Sequence, residues 1–119
     1  MSAKNKATIE RANDTFRRND VEALLALCKD DFRWTMVGSE PATGKAAIRE
    51  WMAKAPPEPP SFTVETMVAE GDYVTCIGDM TMSENGAVVP YAYCDVWRFE
   101  GDKIAELRAF VIKAQASAA

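Results

Sequence analysis

One acidic side chain lies among aromatic residues near the carboxyl end of the sequence, in segment 91–99. If this segment is a β-strand, alternate residues share a face, and Asp95 lies beside Tyr93 and Trp97. A carboxyl among apolar side chains either finds a partner or keeps its proton, because desolvation penalises the ionised form. Two hypotheses follow. Asp95 is a structural carboxyl that is hydrogen-bonded by Tyr91, Tyr93 or the backbone, or it is a neutral acid that points into a pocket.

Few other residues could supply proton or metal chemistry, because the chain contains no histidine. This excludes Ser-His-Asp and Cys-His nucleophile pairs, and zinc or non-haem iron sites that need imidazole. The cysteines Cys28, Cys76 and Cys94 are odd in number and lack CxxC spacing. They therefore predict buried thiols in a reducing cytoplasm, with no disulfide scaffold and no thiolate metal site. We expect no metal and no cofactor.

Length and charge limit the class of protein further. The 119 residues, 48% of them hydrophobic, are enough for one modest core, so we predict a single domain over 1–119. Acidic residues (18) outnumber basic ones (14), and the resulting net charge of -4 is unsuited to binding phosphates. Nucleic acid and anionic membrane are therefore not expected as partners. No apolar run approaches the roughly 18 residues that a membrane helix needs.

The hydrophobic periodicity predicts helices first and a meander of antiparallel strands afterwards. The predicted helices cover 3–18, 21–28 and 45–54, and the predicted strands cover 30–37, 62–70, 73–82, 88–99 and 104–113. Asp20 is the expected N-cap of the second helix, and Glu84-Asn85-Gly86 is the strongest hairpin sequence. The prolines within 56–60 predict an extended connection from the helices to the sheet. This order is typical of an α+β domain with helices packed on one face of a curved sheet.

Alternation also assigns faces to the strands that neighbour Asp95. Cys76, Gly78, Met80 and Met82 share one side of their strand, a set that forms core filler more often than a ligand wall. In the last strand, Leu107, Ala109 and Val111 lie opposite Glu106, Arg108 and Phe110. The second of these faces mixes polar and apolar residues, as subunit contacts often do.

Two segments resemble a known family. Val37-Gly38-Ser39-Glu40-Pro41, followed by Gly44 and by Ala-Ala-Ile-Arg-Glu-Trp at 46–51, resembles the strand-turn-helix segment of bacterial Δ5-3-ketosteroid isomerases. Cys-Asp-Val-Trp-Arg-Phe at 94–99 resembles the strand of that family that carries an aspartic acid. The wider group is the nuclear transport factor 2-like, or SnoaL-like, cone fold, whose order of elements covers almost the whole chain.

The resemblance implies a fold, a site and an assembly. The fold would be three N-terminal helices on a strongly curved, mainly antiparallel sheet that encloses a cavity, and members usually form homodimers through the outer sheet faces. Asp95 would be the protonated acid that donates a hydrogen bond to a developing enolate oxygen. The ligand would be a hydrophobic small molecule. The side chains expected to contact it are Trp34, Trp51, Met80, Met82, Tyr93, Trp97 and Leu107.

The rest of the family's catalytic set is missing. The oxyanion tyrosine falls on Ala12, the supporting tyrosine on Met52, and the general-base aspartate on Thr35, or on Trp34 if the alignment is shifted by one residue. A positioned general base typically contributes about 10²- to 10⁴-fold, so efficient steroid isomerisation by the family mechanism is not expected. Three hypotheses remain. The first is an isomerase-like or cyclase-like enzyme that uses Asp95 on a hydrophobic carbonyl compound, assisted by Tyr91, Tyr93 or an unidentified base. The others are a non-catalytic binder of an apolar planar molecule and a dimeric assembly domain.

Overall fold

The helices and the sheet follow the predicted order in the computed structural model, which describes residues 2–54 and 61–114. The helices are α1 (Ser2–Arg17), α2 (Val21–Ala26) and α3 (Lys45–Ala53). The strands are β1 (Cys28–Met36), β2 (Ala42–Thr43), β3 (Ser61–Phe62), β4 (Thr66–Glu70), β5 (Tyr73–Glu84), β6 (Ala87–Glu100) and β7 (Lys103–Lys113). The expected N-cap is confirmed, because the Asp20 carboxylate accepts a hydrogen bond from the backbone N–H of Ala23 at 3.1 Å.

The strands form one mixed sheet in the order β2-β1-β7-β6-β5-β3, and β4 also pairs with β5. The long strands β5, β6 and β7 are antiparallel neighbours, whereas β1 runs parallel to β7. The sheet curls around the three helices without closing. This confirms the predicted α+β class, with helices packed on one face of a strongly curved sheet.

The hydrophobic core lies between the helices and the inner face of the sheet. From the helices, Ile9, Leu24 and Ile48 are almost fully buried, and Trp97 and Leu107 face them from β6 and β7. The predicted alternation is confirmed in β5, where Cys76 and Gly78 are buried while Ile77 and Asp79 are exposed. We use "inner face" for the side of the sheet towards the helices and "outer face" for the opposite side.

The structure corrects the predicted strand 62–70, which is interrupted at 63–65 between β3 and β4. The carbonyl of Thr63 lies so close to the sheet that a Cβ atom on Gly78 would come within 1.9 Å of its oxygen. Tyr93 donates its phenolic hydrogen to the same oxygen at 2.7 Å. A glycine in mid-strand often marks such a close approach of two backbones, which hydrophobic alternation cannot reveal.

Three smaller differences concern β2, Cys94 and Trp51. The two-residue strand β2 was not predicted. Cys94 is partly exposed, because it lies on the outer face, whereas Cys28 and Cys76 are buried as expected. Trp51 is 43% exposed on α3 although it belongs to the apolar stripe of that helix. The proline-rich connection at 56–60 lies outside the described residues.

Within residues 2–54 and 61–114, no helix combines the length and apolar composition needed to span a bilayer.

Candidate functional site

Asp95 lies at the centre of the inner face. Its register partners are Cys76 on β5 and Ala109 on β7, both small and almost fully buried. The same row of side chains continues to Met67 on β4 and to Met36 on β1. Because its two flanking side chains are short, the carboxyl keeps partial exposure although its neighbours are buried. Asp95 is thus more accessible than either of its two register partners.

The structure contradicts the hypothesis that a tyrosine holds Asp95 as a structural carboxyl. Tyr93 donates its hydroxyl hydrogen to the Thr63 carbonyl oxygen, and Tyr91 donates to Glu84. No hydrogen bond or ion pair joins the Asp95 side chain to the described residues. The same contacts leave neither tyrosine free to assist Asp95 as the enzyme hypothesis supposed.

Burial alone raises the pKa of Asp95, from an ordinary value of 3.8 to about 7. Neither a cation nor a second carboxylate contributes to this shift, so burial is not offset by any nearby charge. The pKa values of Tyr93 and Cys76 are raised to about 12, chiefly by burial and next by the charge of Asp95. Near neutral pH, Asp95 is therefore the one group of this trio that readily gains or loses a proton.

An aromatic cluster occupies the inner face next to Asp95. The ring of Phe16, on α1, lies 5.5 Å from that of Trp34 and 6.3 Å from that of Trp97, between centroids. Trp34 in turn meets Trp51 edge-to-face at 4.8 Å. The indole N–H groups of Trp34 and Trp97 are buried and have no hydrogen-bond acceptor among the described residues. Two donors and one carboxyl on this face thus lack partners, whereas buried polar groups are normally hydrogen-bonded.

Two cavities are described next to these groups, and neither has Asp95 in its wall. A small one of about 90 Å³ is lined by Trp34, Met36, Ser39, Glu40, Ala42 and Trp51. An open groove of about 650 Å³ separates α1 from residues 64–67. The charged residues Lys6, Glu10, Asp14, Arg17 and Glu65 contribute to its walls. The groove is therefore not the apolar pocket that the resemblance implies.

Six of the seven predicted ligand residues lie on the sheet and divide into two groups, whereas Trp51 lies on α3 against Trp34 and is largely exposed. Trp34, Tyr93, Trp97 and Leu107 lie in the rows beside Asp95 on the inner face. Met80 and Met82 lie progressively further along β5, and Met82 is opposite Val89, about 20 Å from Cys76 at ~3.3 Å per residue. Met82 is therefore not brought to Asp95. Phe16 is a member of the cluster that sequence inspection missed, although its spacing from Ile9 and Ala12 indicated the inner stripe of α1.

The family's other catalytic positions hold no proton-transfer group in the structure either. Ala12 is fully buried in α1. Thr35 pairs with Arg108 of β7, and its side chain lies on the outer face, away from the helices. Trp34, not Thr35, thus faces inward at the position of the family base. Among residues 2–54 and 61–114, no three cysteine or carboxylate side chains are placed to bind a metal ion.

The described geometry defines the class of protein as an α+β cone fold of the nuclear transport factor 2-like type. The sequence pattern of the SnoaL-like domain matches residues 9–107. The chain therefore belongs to the SnoaL-like domain family, which confirms the resemblance noted in the sequence. No curated protein sequence shows significant similarity to it.

Solved structures agree with this assignment. A candidate ketosteroid isomerase from Kribbella flavida is 18% identical, with a TM-score of 0.82 over 99% of this chain and 84% of that one. A candidate SnoaL-like polyketide cyclase from a Jannaschia species is 17% identical, with a TM-score of 0.82 over 92% and 86%. TerC, crystallised with polyporic acid, is 19% identical, with a TM-score of 0.79 over 90% of each chain. At these identities the similarity establishes the fold alone.

Proposed function

We propose that this protein binds a hydrophobic carbonyl compound on the inner face of its sheet, and that neutral Asp95 donates a hydrogen bond to the carbonyl oxygen. The observation that carries the proposal is the partnerless carboxyl between Cys76 and Ala109, in surroundings that raise its pKa to about 7. A neutral carboxylic acid in an apolar site is a strong donor to a developing negative charge on oxygen. The ring of Trp34, which is partly exposed, supplies apolar contact, whereas Trp97 is fully buried in the core behind it.

Names of structural neighbours support the same class of ligand. Ketosteroids, polyketides and polyporic acid all combine a carbon skeleton with carbonyl oxygens, and each appears in the name of one of the three neighbours. We therefore choose equilenin, an apolar phenol, and a steroid enone as probes.

Binding is tested by quenching of tryptophan fluorescence on titration with the steroid enone at pH 6, because the enone oxygen can only accept a hydrogen bond. Asp95→Ala is expected to weaken binding about 10-fold, the effect of losing one good hydrogen bond. Wild-type affinity should fall as the pH rises from 6 to 8.5, because the donor loses its proton, and Asp95→Ala should lose this dependence. Asp79→Ala, which removes an exposed outer-face carboxyl of the neighbouring strand, is the matched control. A wild type that neither binds nor changes its melting temperature with any probe contradicts the proposal.

A proton-transfer isomerase is the second candidate function, and the neutral donor at Asp95 favours it. The residues at the family's base and tyrosine positions, Trp34 and Ala12, can move no proton. Any isomerisation of a 5-ene-3-ketosteroid should therefore be slow, by about 10²-fold or more relative to an enzyme with a base. Asp95→Asn should abolish turnover while it leaves steroid binding largely intact. A wild type without turnover above buffer removes the enzymatic candidate and leaves the binding proposal in place.

We also propose that the protein forms a homodimer through the outer face of the sheet. Ile77 is 45% exposed and continues across the sheet into Cys94 and Phe110, so one apolar row crosses β5, β6 and β7. Contiguous apolar surface of this kind is typical of subunit contacts. Ile77→Lys should convert a dimer into monomers in sedimentation analysis, whereas Val88→Lys, at the hairpin end of β6, should not. A wild-type protein that sediments as a monomer contradicts the dimer.

We place this function in the cytoplasm, because Cys28, Cys76 and Cys94 are all free thiols and Cys94 is partly exposed. Cell fractionation of the tagged protein would test this, and recovery outside the cytoplasmic fraction would contradict it.

A further inference from the structure

The open groove between α1 and residues 64–67 has a free edge of the sheet as one of its walls. In the described part of the chain, β4 pairs with β5 alone, and no strand lies on its other side. Just before β4, the backbone N–H groups of Thr63 and Glu65 donate to carbonyl groups of β5 at 2.9 and 2.8 Å. Successive residues of an extended chain direct their backbone groups to opposite sides, so those of Val64 point away from β5.

The hydrogen-bond pattern of β4 leaves a second free position beside the groove. Glu70 and Tyr73 flank a two-residue turn, and residues at such positions form a hydrogen-bonded pair. Every second pair along the ladder is then hydrogen-bonded, which includes Thr66 and leaves the backbone groups of Met67 directed away from β5. Val64 and Met67 both line the groove, and α1 forms no hydrogen bond with the backbone of either residue. Such an edge can pair with another extended chain.

One face of α1 forms the opposite wall. The groove follows this helix from Lys6 to Arg17, a length of about 16 Å, which matches about five residues of an extended peptide. Asn13 lies between them and is only 6% exposed, although it lines the groove. Its amide forms a hydrogen bond with the Cys76 side chain. An asparagine amide has two donor hydrogens and an acceptor oxygen, so this one contact leaves it able to bond a peptide in the groove.

The charges of the groove favour a basic occupant. Arg17 is engaged by Asp14, whose carboxylate lies 3.3 Å from its guanidinium. Glu10, on the helical wall, and Glu65, on the strand wall, form no ion pair with any residue of 2–54 or 61–114, and neither does Lys6. Two unpaired carboxylates therefore stand against one unpaired ammonium group. A lysine or arginine side chain between the walls would offset this excess of negative charge.

We propose that this groove binds an extended basic segment of another protein, which adds to the free edge of β4 as a further strand. The backbone groups of Val64 and Met67 would bond the main chain of the segment, and Glu10 and Glu65 would attract its basic side chains. In strand addition, main-chain hydrogen bonds give affinity and alternate side chains give specificity. The inference goes beyond the proposed function, because it involves neither Asp95 nor a small molecule.

The first test is an NMR titration of ¹⁵N-labelled wild type with the capped peptide acetyl-Thr-Lys-Val-Lys-Thr-amide. The backbone amide protons of Val64 and Met67 should move downfield as they gain an acceptor. That of Thr66 should move much less, because it already bonds to β5. The acidic peptide acetyl-Thr-Glu-Val-Glu-Thr-amide should bind at least about 5-fold more weakly. If the Val64 and Met67 protons stay in place up to the solubility limit of the basic peptide, the inference is wrong.

Two N-methylated forms of the basic peptide test strand addition itself. One carries N-methyl groups on both lysines and the other on both threonines. An added strand directs only alternate N–H groups towards the edge, so one form should lose affinity by about 10-fold or more while the other keeps most of it. Equal affinities of the two forms, whether kept or lost, overturn strand addition.

Exposed charges locate the peptide without disturbing the core. Glu65→Lys should weaken binding of the basic peptide by about 5-fold, the effect of one exposed ion pair. Glu70→Lys, at the other end of β4 and outside the groove wall, makes the same change in net charge and should leave the affinity unchanged. Equal weakening by both substitutions would mean that the peptide responds only to the overall charge, which overturns the assignment to this groove.

Discussion

Two carboxyl groups on strand β6 behave in opposite ways because they lie in different surroundings. Asp95, at the centre of the inner face, has no hydrogen-bond or ion-pair partner in the part of the chain that the structure describes, and burial raises its pKa to about 7. Glu100, at the exposed end of the strand, forms ion pairs with Lys29 and Arg98, and these cations lower its pKa. The position on the sheet, not the chemistry of the carboxyl, thus decides which group keeps its proton up to about pH 7 and which ionises at lower pH.

The inner and outer faces of the sheet differ in the same way as these two carboxyl groups. Outer-face ion pairs such as Arg98–Glu106 stay in contact with water, which screens them and limits their energy. The inner face is mainly apolar, and within residues 2–54 and 61–114 the Asp95 carboxyl and the buried indole N–H groups of Trp34 and Trp97 have no hydrogen-bond partner.

The largest expected effect concerns the pH dependence of stability at Asp95. Between pH 4 and 7 the folded protein holds a proton on Asp95 that the unfolded chain has released, so stability falls as the pH rises. Relative to Asp95→Asn, which does not titrate there, the wild type should lose up to about 4 kcal/mol from pH 4 to pH 8. Urea unfolding of both proteins at several pH values measures this.

Glu100→Gln provides the matched comparison, because the stability that Glu100 contributes should change with pH in the opposite direction. The lowered pKa of Glu100 contributes stability above the pKa of the unfolded chain, and this stability is lost as the pH falls. If the difference in the free energy of unfolding between Asp95→Asn and wild type stays constant from pH 4 to 8, Asp95 does not have a raised pKa and the two carboxyls do not differ as described.

A smaller effect on the free energy of unfolding is expected from substitutions at Gly78 and Asp79, which are neighbours on β5 but face opposite sides of the sheet. Gly78→Ala places a Cβ atom 1.9 Å from the Thr63 oxygen and 2.9 Å from the Tyr93 hydroxyl, so the backbone at 63 must move. We expect a loss of about 3 kcal/mol in the free energy of unfolding. Asp79→Ala, on the exposed side, should change it by less than ~0.5 kcal/mol. Equal effects from the two substitutions would mean that the faces do not differ in packing.

The smallest expected effect is that of the outer-face ion pairs of Arg98. Its guanidinium lies 2.9 Å from the Glu100 carboxylate and 3.5 Å from that of Glu106. Arg98→Met should cost at most about 1 kcal/mol at low salt, and the difference should nearly vanish in 1 M NaCl. A larger, salt-independent loss would show that this face is packed more like a core than a solvated surface.

Much of the architecture could be predicted from local patterns. The alternation in 91–99 assigned Asp95 to the buried side, and Asp20 and the Asn85-Gly86 turn marked where α2 and β6 begin. These features depend on neighbouring residues along the chain, so the sequence is sufficient to find them. The break at 63–65 depends instead on a backbone from a distant segment, and no periodicity within 62–70 indicates it.

The sequence by itself determined that one acid sits among aromatic residues, and that the family's base and tyrosine are absent, because residue types and strand alternation are local properties. Only the tertiary structure decided that Tyr91 and Tyr93 bond elsewhere, that Trp34 faces inward with an unsatisfied N–H, and that Met82 lies far from Asp95. These outcomes depend on strand register and on the packing of helices against the sheet. Both bring together groups that are remote in sequence, so the partners of a buried polar group are set by the whole fold.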